Sequence, residues 1–215
     1  MEKGKIDFLP TVYPTWEEFQ DFQGYVNKLD ADSELKGHGG VKVVPPKEWK
    51  AVRDNLEAKF DGLKVIGPIE QNFHSHPMKG FYELVLIQKK SMKLLDYKKR
   101  AEKFDQYTEG HEIEKVEEKY WRSLSFNPPI YGADVKGTLF DNKVPWNLNE
   151  LQTILNEGLG FSKIYGINEP YFYFGAWRTT FAWHQEDLNL PSINFLHYGK
   201  PKFWYVVGRY LLFYL

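Results

Sequence analysis

The chain of 215 residues carries 28 basic and 29 acidic side chains, and its net charge of −1 provides no overall field that would attract nucleic acid. It contains no cysteine, which excludes disulfides and zinc sites with thiolate ligands within the chain. An aromatic content of 17% indicates a packed, ligand-holding protein, and no apolar run is long enough to span a membrane.

The first predicted element is a helix with a capping box at its start. Thr15 and Glu18 have the spacing at which each side chain can bond the backbone amide of the other. Apolar side chains then recur at helical spacing and predict a helix from about Trp16 to Leu29. Residues 41–44 predict a short strand, which two prolines stop.

The middle of the chain alternates loop, strand and helix. Residues 60–80 are interrupted by Gly and Pro and predict a loop, in which His74 and His76 are better explained as solvated side chains than as metal ligands. Residues 81–88 predict a strand. Helices are predicted from Ser91, as a cap, to about Phe104, at 112–124 and at 148–159.

From Pro170 onward, short aromatic or β-branched runs separated by Gly and Pro predict the strands of a β-sandwich or barrel. The runs are residues 171–174, 179–183, 192–197 and 203–207. Together with the helices before them, they predict an α+β fold that is mainly β.

His184 and Glu186 are the most informative pair in the sequence. Residues two apart on a strand point to the same side, so one imidazole and one carboxylate can meet at a single ion. Oxygen-activating iron(II) sites use two such ligands and normally add a second histidine. His197 is the only histidine after Glu186; it could bend toward His184 or pack within its own strand. Taken alone, the pair is better explained as a hydrogen-bonded structural pair than as a metal site.

Several segments resemble the Jumonji-type histone lysine demethylases, in the subgroup with a JmjN segment ahead of a JmjC domain. The similar segments are residues 8–19, 43–49, 120–135, 171–175 and 181–204, in one unbroken order. The similarity is greatest to the branch that acts on trimethylated lysines. It implies JmjN at 6–50, a helical linker region at 51–125, a partial JmjC domain at 126–207 and a divergent tail at 208–215.

The resemblance implies an incomplete double-stranded β-helix, of the jelly-roll or cupin type, with an N-terminal helical JmjN segment. It also implies iron(II), 2-oxoglutarate and O2, used to oxidise an N-methyl group of lysine that leaves as formaldehyde. The implied iron ligands are His184 and Glu186. The other implied site residues are Tyr131, Asn194 and Lys202 for the 2-oxoglutarate carboxylates, Phe181 and Trp204 as walls, and Gly166, Tyr171 and Tyr173 for the methyl-lysine channel.

Other interpretations of these residues come from the sequence alone. Tyr171 and Tyr173 could be barrel core, and Lys202 could be a surface lysine whose stem packs on its aromatic neighbours. Asp134 could be a turn residue or could meet a basic peptide.

Two functional hypotheses follow from the resemblance. The first is a nuclear histone demethylase acting on a methylated histone tail in chromatin, with no sequence-specific nucleic-acid binding and no membrane. Because the chain does not reach the family's second iron histidine, we expect a truncated product with little or no turnover. The second is a catalytically inert JmjN/JmjC module for chromatin interaction. A hydroxylase of another protein fits the JmjN similarity less well.

Overall fold

The computed structural model describes residues 8–51, 56–140, 144–151, 153–160 and 162–208. Residues 209–215 of the predicted divergent tail lie outside this described part. The chain forms two compact units, each with its own buried core. The first unit contains the described residues of 1–54, 140–162 and 194–215, and the second those of 55–139 and 163–193.

Helices and short strands are mixed along the described residues. The helices are α1 (Trp16–Gln20), α2 (Phe22–Ala31), α3 (Ser33–Gly37), α4 (Lys47–Ala51), α5 (Leu94–Glu102), α6 (Ile113–Ser123) and α7 (Ile154–Gly158). The strands are β1 (Thr11–Val12), β2 (Lys42–Val43), β3 (Lys64–Val65), β4 (Ile69–Ser75), β5 (Tyr82–Gln88), β6 (Met92–Lys93), β7 (Ile130–Lys136) and β8 (Tyr171–Phe174).

The predicted capping box of the first helix is confirmed. The Thr15 amide donates to Glu18 Oε2 at 2.9 Å, and the Glu18 amide donates to Thr15 Oγ1 at 3.2 Å. The prediction of one helix through Leu29 is wrong, because Asp21 interrupts it. The Asp21 side chain accepts from the Gly24 amide at 2.9 Å and so begins a new helix, α2.

Aromatic side chains form the core of the first unit. Phe19 stacks on Trp146 with ring centroids 4.6 Å apart and meets the edge of Trp49 at 5.7 Å. Both indole N–H groups are satisfied: Trp146 donates to the Phe19 carbonyl at 2.8 Å, and Trp49 donates to the Pro145 carbonyl at 2.7 Å. Burying these rings therefore leaves neither indole donor unpaired.

A four-stranded antiparallel sheet organises the second unit. Its strand order is β5-β4-β7-β8, and a separate antiparallel pair joins β3 to β6. The ladder between β7 and β8 contains a bulge between Gly132 and Val135. The buried core beside the sheet consists of Phe60, Val65, Leu94, Tyr97, Val135, Leu139 and Phe172.

Two residues show how closely β7 and β8 are packed. The buried Tyr97 hydroxyl lies within hydrogen-bond distance of the carbonyls of Ile130, at 2.7 Å, and Phe174, so it spans the two strands. Burial raises the pKa of Tyr97, so the hydroxyl keeps its proton. A Cβ at Gly132 would lie 2.4 Å from Val65 Cγ1, so only glycine fits there.

Some of the other predicted elements are confirmed, and others are wrong. The strands at 41–44, 81–88 and 171–174 and the helix at 112–124 are confirmed. Residues 60–80 are not a continuous loop, since β3 and β4 lie there. Ser91 caps no helix: its Oγ accepts from the Gly67 amide at 3.1 Å, and α5 begins at Leu94. The helix at 148–159 shortens to α7, and residue 152 is outside the described part.

The structure supports a mixed fold of helices and antiparallel sheet, in which helices occupy more of the described residues than strands. The strands predicted at 179–183, 192–197 and 203–207 are not formed among the described residues. A strand needs a neighbour that takes up its amides and carbonyls, and alternation of residue types alone does not supply one. None of the described helices combines the length and apolarity needed to span a membrane.

Candidate functional site

An aromatic cluster lies where β7 and β8 run side by side. Tyr131 on β7 and Tyr173 on β8 have ring centroids 6.2 Å apart, and Phe181 lies 5.3 Å from each of them. Tyr131 is buried, which raises the pKa of its hydroxyl and keeps it protonated. The structure therefore brings together three of the predicted site residues.

Asp134 lies in the β7 bulge with a left-handed backbone, at φ 55°. Its Oδ1 accepts from the Tyr173 hydroxyl at 2.8 Å. Burial and then this hydrogen bond raise the pKa of Tyr173. The bulge thus directs a carboxylate at Tyr173, a contact that neither sequence-based interpretation of Asp134 included.

His184 and Glu186 do not lie on a strand, contrary to the prediction. The segment pairs with no strand in the part of the chain that the structure describes, and a short 3-10 turn follows at Asp187–Asn189, where Leu188 and Asn189 have φ of 56° and 54°. Both His184 and Glu186 are exposed. The argument from strand alternation therefore does not hold for this pair.

The chemistry of the pair nevertheless suits a metal ion. His184 Nδ1 is 2.8 Å from the Ala182 carbonyl, which can only accept, so Nδ1 carries the proton and Nε2 the lone pair. Metal-binding histidines are commonly oriented by such a bond from their other nitrogen. Glu186 Oε1 accepts from the Ser192 hydroxyl at 2.8 Å, which orients the carboxylate.

The ring of His184 also joins the aromatic cluster, with its centroid 5.8 Å from that of Phe181. Within the described residues, no group of three or more His, Cys, Asp or Glu side chains is arranged to hold a metal. The arrangement thus offers one imidazole nitrogen and one carboxylate beside a partly buried tyrosine and phenylalanine wall.

Gly166 and Tyr171 lie together at the entrance to β8. Gly166 has φ +82°, and a Cβ there would lie 3.0 Å from the Tyr171 ring, so glycine permits the close approach. Tyr171 stacks on Tyr165 at 5.6 Å, and the Lys136 ammonium lies 4.3 Å from the centroid of the Tyr165 ring. Tyrosine faces in this region therefore already contact an alkylammonium.

Three predicted site residues, Asn194, Lys202 and Trp204, belong to the first unit. Asn194 is exposed. Lys202 is half-buried, with its ammonium 4.6 Å from the centroid of the Trp204 ring, and burial lowers the pKa of Lys202 to about 8. The residue is thus less solvated than the surface lysine that was the alternative interpretation.

Three further histidines were considered in the sequence, His74, His76 and His197. His197 packs its ring against Phe140 at 4.7 Å and Phe195 at 4.9 Å, as expected of a histidine that packs rather than bends toward His184. His74 and His76 are exposed, although His74 lies on β4, opposite Glu83.

Sequence reasoning did not single out Gln71 and Arg178, which are buried polar side chains of the second unit. Arg178 stands in the aromatic and apolar run before His184, and a basic residue in such a run is a usable signal. Gln71 gives no comparable signal, because its partner lies 109 residues away. Ser192 gives no such signal either, although its hydroxyl donates to Glu186 only six residues away.

Models of two known protein families match two segments of the chain. A family model described as JmjC domain, hydroxylase, matches residues 171–209, and one described as jmjN domain matches residues 10–45. The first includes His184 and Glu186. The resemblance inferred from the sequence is confirmed by these matches.

Three curated relatives are similar over almost the whole chain. Identity is 41% over 201 residues to lysine-specific demethylase 4B of Mus musculus, covering 92% of this chain. It is 42% over 203 residues to probable lysine-specific demethylase 4F of Homo sapiens, covering 92%, and 40% over 201 residues to lysine-specific demethylase 4D of Rattus norvegicus, covering 90%. The chain spans only 18%, 31% and 38% of the lengths of these relatives.

Proposed function

Since the chain belongs to the family of lysine demethylases that carry a JmjN and a JmjC segment, we propose that it forms part of the catalytic site of an iron(II)- and 2-oxoglutarate-dependent histone lysine demethylase. One observation carries the proposal most directly. Within the JmjC-matched segment, His184 is fixed through Nδ1 with Nε2 available for a metal, two residues from a carboxylate. The domain boundaries that go with the proposal are JmjN at 6–50 and JmjC from 126.

His184 Nε2 and a Glu186 oxygen would hold the iron. The bond from Nδ1 to Ala182 and the bond from Ser192 to Glu186 fix the two donors before a metal arrives. Iron(II), with 2-oxoglutarate and O2, supplies the oxidation of an N-methyl group, which is then lost as formaldehyde. What the protein adds is the orientation of the two donors and the neighbouring aromatic wall.

Tyr131, Asn194 and Lys202 would hold the 2-oxoglutarate carboxylates. A dicarboxylate withdrawn from water needs a cation and hydroxyl or amide donors, and lysine, tyrosine and asparagine are residue types that carry these groups. Because burial lowers the pKa of Lys202 to about 8, its charge is present at neutral pH and is lost above that value. We therefore expect 2-oxoglutarate affinity to fall as the pH rises through 8. Phe181 and Trp204 would exclude water from the reacting groups.

Gly166, Tyr171 and Tyr173 would line the channel for the methylated lysine. A methylammonium is attracted to each tyrosine face by about 0.5–2 kcal/mol, and the lack of a Cβ at Gly166 allows close packing on Tyr171. Asp134 holds the Tyr173 hydroxyl in place. The partner proposed for this site is a methylated histone tail in chromatin, which places the protein in the nucleus.

A catalytically inert chromatin-interaction module is the second candidate. The observation that favours it is that, in the described part of the chain, no third His, Asp or Glu completes a metal-holding group. Two protein ligands hold iron weakly. On this alternative the aromatic and JmjN surfaces would bind a partner without turnover.

Formaldehyde release distinguishes the two candidates. The chain is incubated with a trimethyl-lysine histone peptide, iron(II) and 2-oxoglutarate, alongside His184→Ala and the control His111→Ala, which changes an exposed histidine in the loop before α6. We expect slow release, little more than background, that requires His184 and not His111. Equal release by the wild type and His184→Ala contradicts the enzyme. Peptide binding without any release supports the inert module.

A further inference from the structure

The backbone from Gly175 to Glu186 reaches the two candidate ligands without a strand neighbour in the described structure. It starts with a tight turn, in which Thr179 Oγ1 donates to the Ala176 carbonyl at 2.9 Å. Arg178, inside this turn, has φ +69°, a conformation that non-glycine residues rarely adopt. Such strain persists only where surrounding contacts impose it, and it is concentrated near functional sites.

Gln71 supplies contacts of this kind. Its side chain is 4% exposed, and its own amide is used by the sheet, donating to the Pro129 carbonyl at 3.0 Å. Gln71 Oε1 accepts from the Thr180 amide at 2.8 Å, and Gln71 Nε2 donates to the Thr180 carbonyl at 2.8 Å. These are the two bonds that a neighbouring strand would make, supplied here by one side chain.

Arg178, which belongs to the same stretch, anchors it to the end of α6 and the loop that follows. Its guanidinium, in a side chain 6% exposed, donates to the Ser123 carbonyl at the end of α6 and to the Asn127 carbonyl at 2.7 Å. Its Nε is buried with no hydrogen-bond partner among the described residues. Burial lowers the pKa of Arg178. Desolvating a cation and leaving one of its donors unpaired costs stability, which the two bonds to backbone carbonyls oppose.

Thr180 connects the two anchors. Its hydroxyl donates to the Arg178 carbonyl at 2.8 Å and therefore accepts from the Tyr120 hydroxyl at 2.8 Å. The Thr180 amide, carbonyl and hydroxyl are thus all fixed, one residue before Phe181 and four before His184. The backbone is therefore anchored at Thr180, ahead of the two candidate ligands.

We propose that Gln71 and Arg178 are positioning residues, which fix the direction of the backbone that presents His184 and Glu186. They act through Thr180, and none of the side-chain hydrogen bonds that they make within the described part of the chain goes to His184 or Glu186. The consequence for metal binding rests on the proposed function, whereas the anchoring of the segment does not.

The test compares Gln71→Leu, which removes both bonds at similar volume, with Gln71→Glu, which keeps the acceptor for the Thr180 amide and loses the donor to its carbonyl. Asn72→Leu is the matched control, because Asn72 is the next residue on β4 and its side chain bonds locally, to Glu70, among the described residues. Amide hydrogen exchange is measured along the chain, and Co(II) affinity is measured as a redox-stable substitute for iron(II).

We expect Gln71→Leu to accelerate exchange across 180–186 while the amides of β4 stay protected. We also expect it to weaken Co(II) binding about tenfold, which is the lower end of the effect of removing residues that orient metal ligands. Gln71→Glu should lie between wild type and Gln71→Leu. Arg178→Met should accelerate exchange over 178–182.

Exchange in Gln71→Leu that matches Asn72→Leu overturns the proposal, and so does exchange that rises equally in β4, since this would be general destabilisation. Faster exchange over 180–186 with unchanged Co(II) affinity also overturns the positioning role. If the wild type and His184→Ala bind Co(II) equally, the proposed function fails; the exchange arm then decides whether Gln71 anchors the segment.

Discussion

The four-stranded sheet and the segment that carries His184 and Glu186 are held in place by different kinds of hydrogen bond. In the sheet, backbone amides and carbonyls are paired by ladders with neighbouring strands, such as the seven-residue register between β4 and β5. In the segment, the Gln71 side chain pairs the Thr180 amide and carbonyl, and the Arg178 guanidinium ties the segment to the carbonyls of Ser123 and Asn127. Ladders distribute stability over many bonds, whereas a few side-chain contacts leave the ends of the segment adjustable.

This difference predicts which property a substitution in each region should change. A substitution in the sheet should lower global stability, because the core and the ladders unfold together. A substitution at the segment should change local exchange and metal affinity with little effect on global stability. The following expectations are ordered from the largest effect to the smallest.

Tyr97→Ala should have the largest effect, because it leaves a cavity in the core and removes the hydroxyl that spans β7 and β8. We expect a loss of about 3–5 kcal/mol in the free energy of unfolding. Tyr97→Phe, which removes only the hydroxyl, should lose about 1–2 kcal/mol. Urea unfolding measures both. A loss below about 1 kcal/mol for Tyr97→Ala would mean that the sheet is not anchored at this residue.

Gly132→Ala should lower stability by about 1–3 kcal/mol, because the new methyl group would lie too close to Val65 and Phe174. Gly158→Ala is the control, since a Cβ there meets no atom within 4 Å and α7 tolerates alanine. Thermal unfolding compares the two variants. Equal melting temperatures for both would show that β7 and β8 have room to separate.

Stability should fall as the pH rises above about 10, the pKa of an unfolded tyrosine. Burial raises the pKa of Tyr97 and of Tyr131, so the folded chain keeps protons that the unfolded chain releases. Their contribution is complete below pH 10 and is lost through the folded pKa values. Urea midpoints from pH 9 to 11 should decline less steeply in Tyr97→Phe. Identical slopes would contradict the burial of this hydroxyl.

Ser192→Ala should have the smallest effect on stability, less than about 0.5 kcal/mol, because the pair it forms with Glu186 is exposed. Its effect on metal affinity should be larger, up to about tenfold weaker Co(II) binding, since the carboxylate loses its orienting donor. Calorimetric titration gives the affinity. A large fall in melting temperature would show instead that Ser192 contributes to global stability, as the sheet residues do.

Local signals in the sequence predicted the elements whose causes are local. The capping box of Thr15 and Glu18 and the amphipathic pattern of α6 are complete within one turn or one helix, and both are confirmed. The break at Asp21 was also readable, because Asp three residues before Gly24 is a helix-start signal. It was missed because the apolar spacing continues across it.

The elements and contacts that local sequence patterns did not predict depend on pairing between residues far apart in the chain. The runs at 179–183 and 192–197 have strand composition, yet their backbones lack strand neighbours among the described residues, and composition does not identify a neighbour. The aromatic cluster of Tyr131, Tyr173 and Phe181 was expected only through the resemblance. The pairing of Gln71 with Thr180 joins positions that no local pattern relates.

Cobalt binding tests the central claim most directly. The chain, His184→Ala and Glu186→Ala are titrated with Co(II), and the visible absorption of the bound ion is recorded with and without 2-oxoglutarate. We predict a Co(II) band in the wild type that 2-oxoglutarate strengthens and that each substitution removes. The same band, of equal intensity, in all three proteins would contradict coordination by His184 and Glu186.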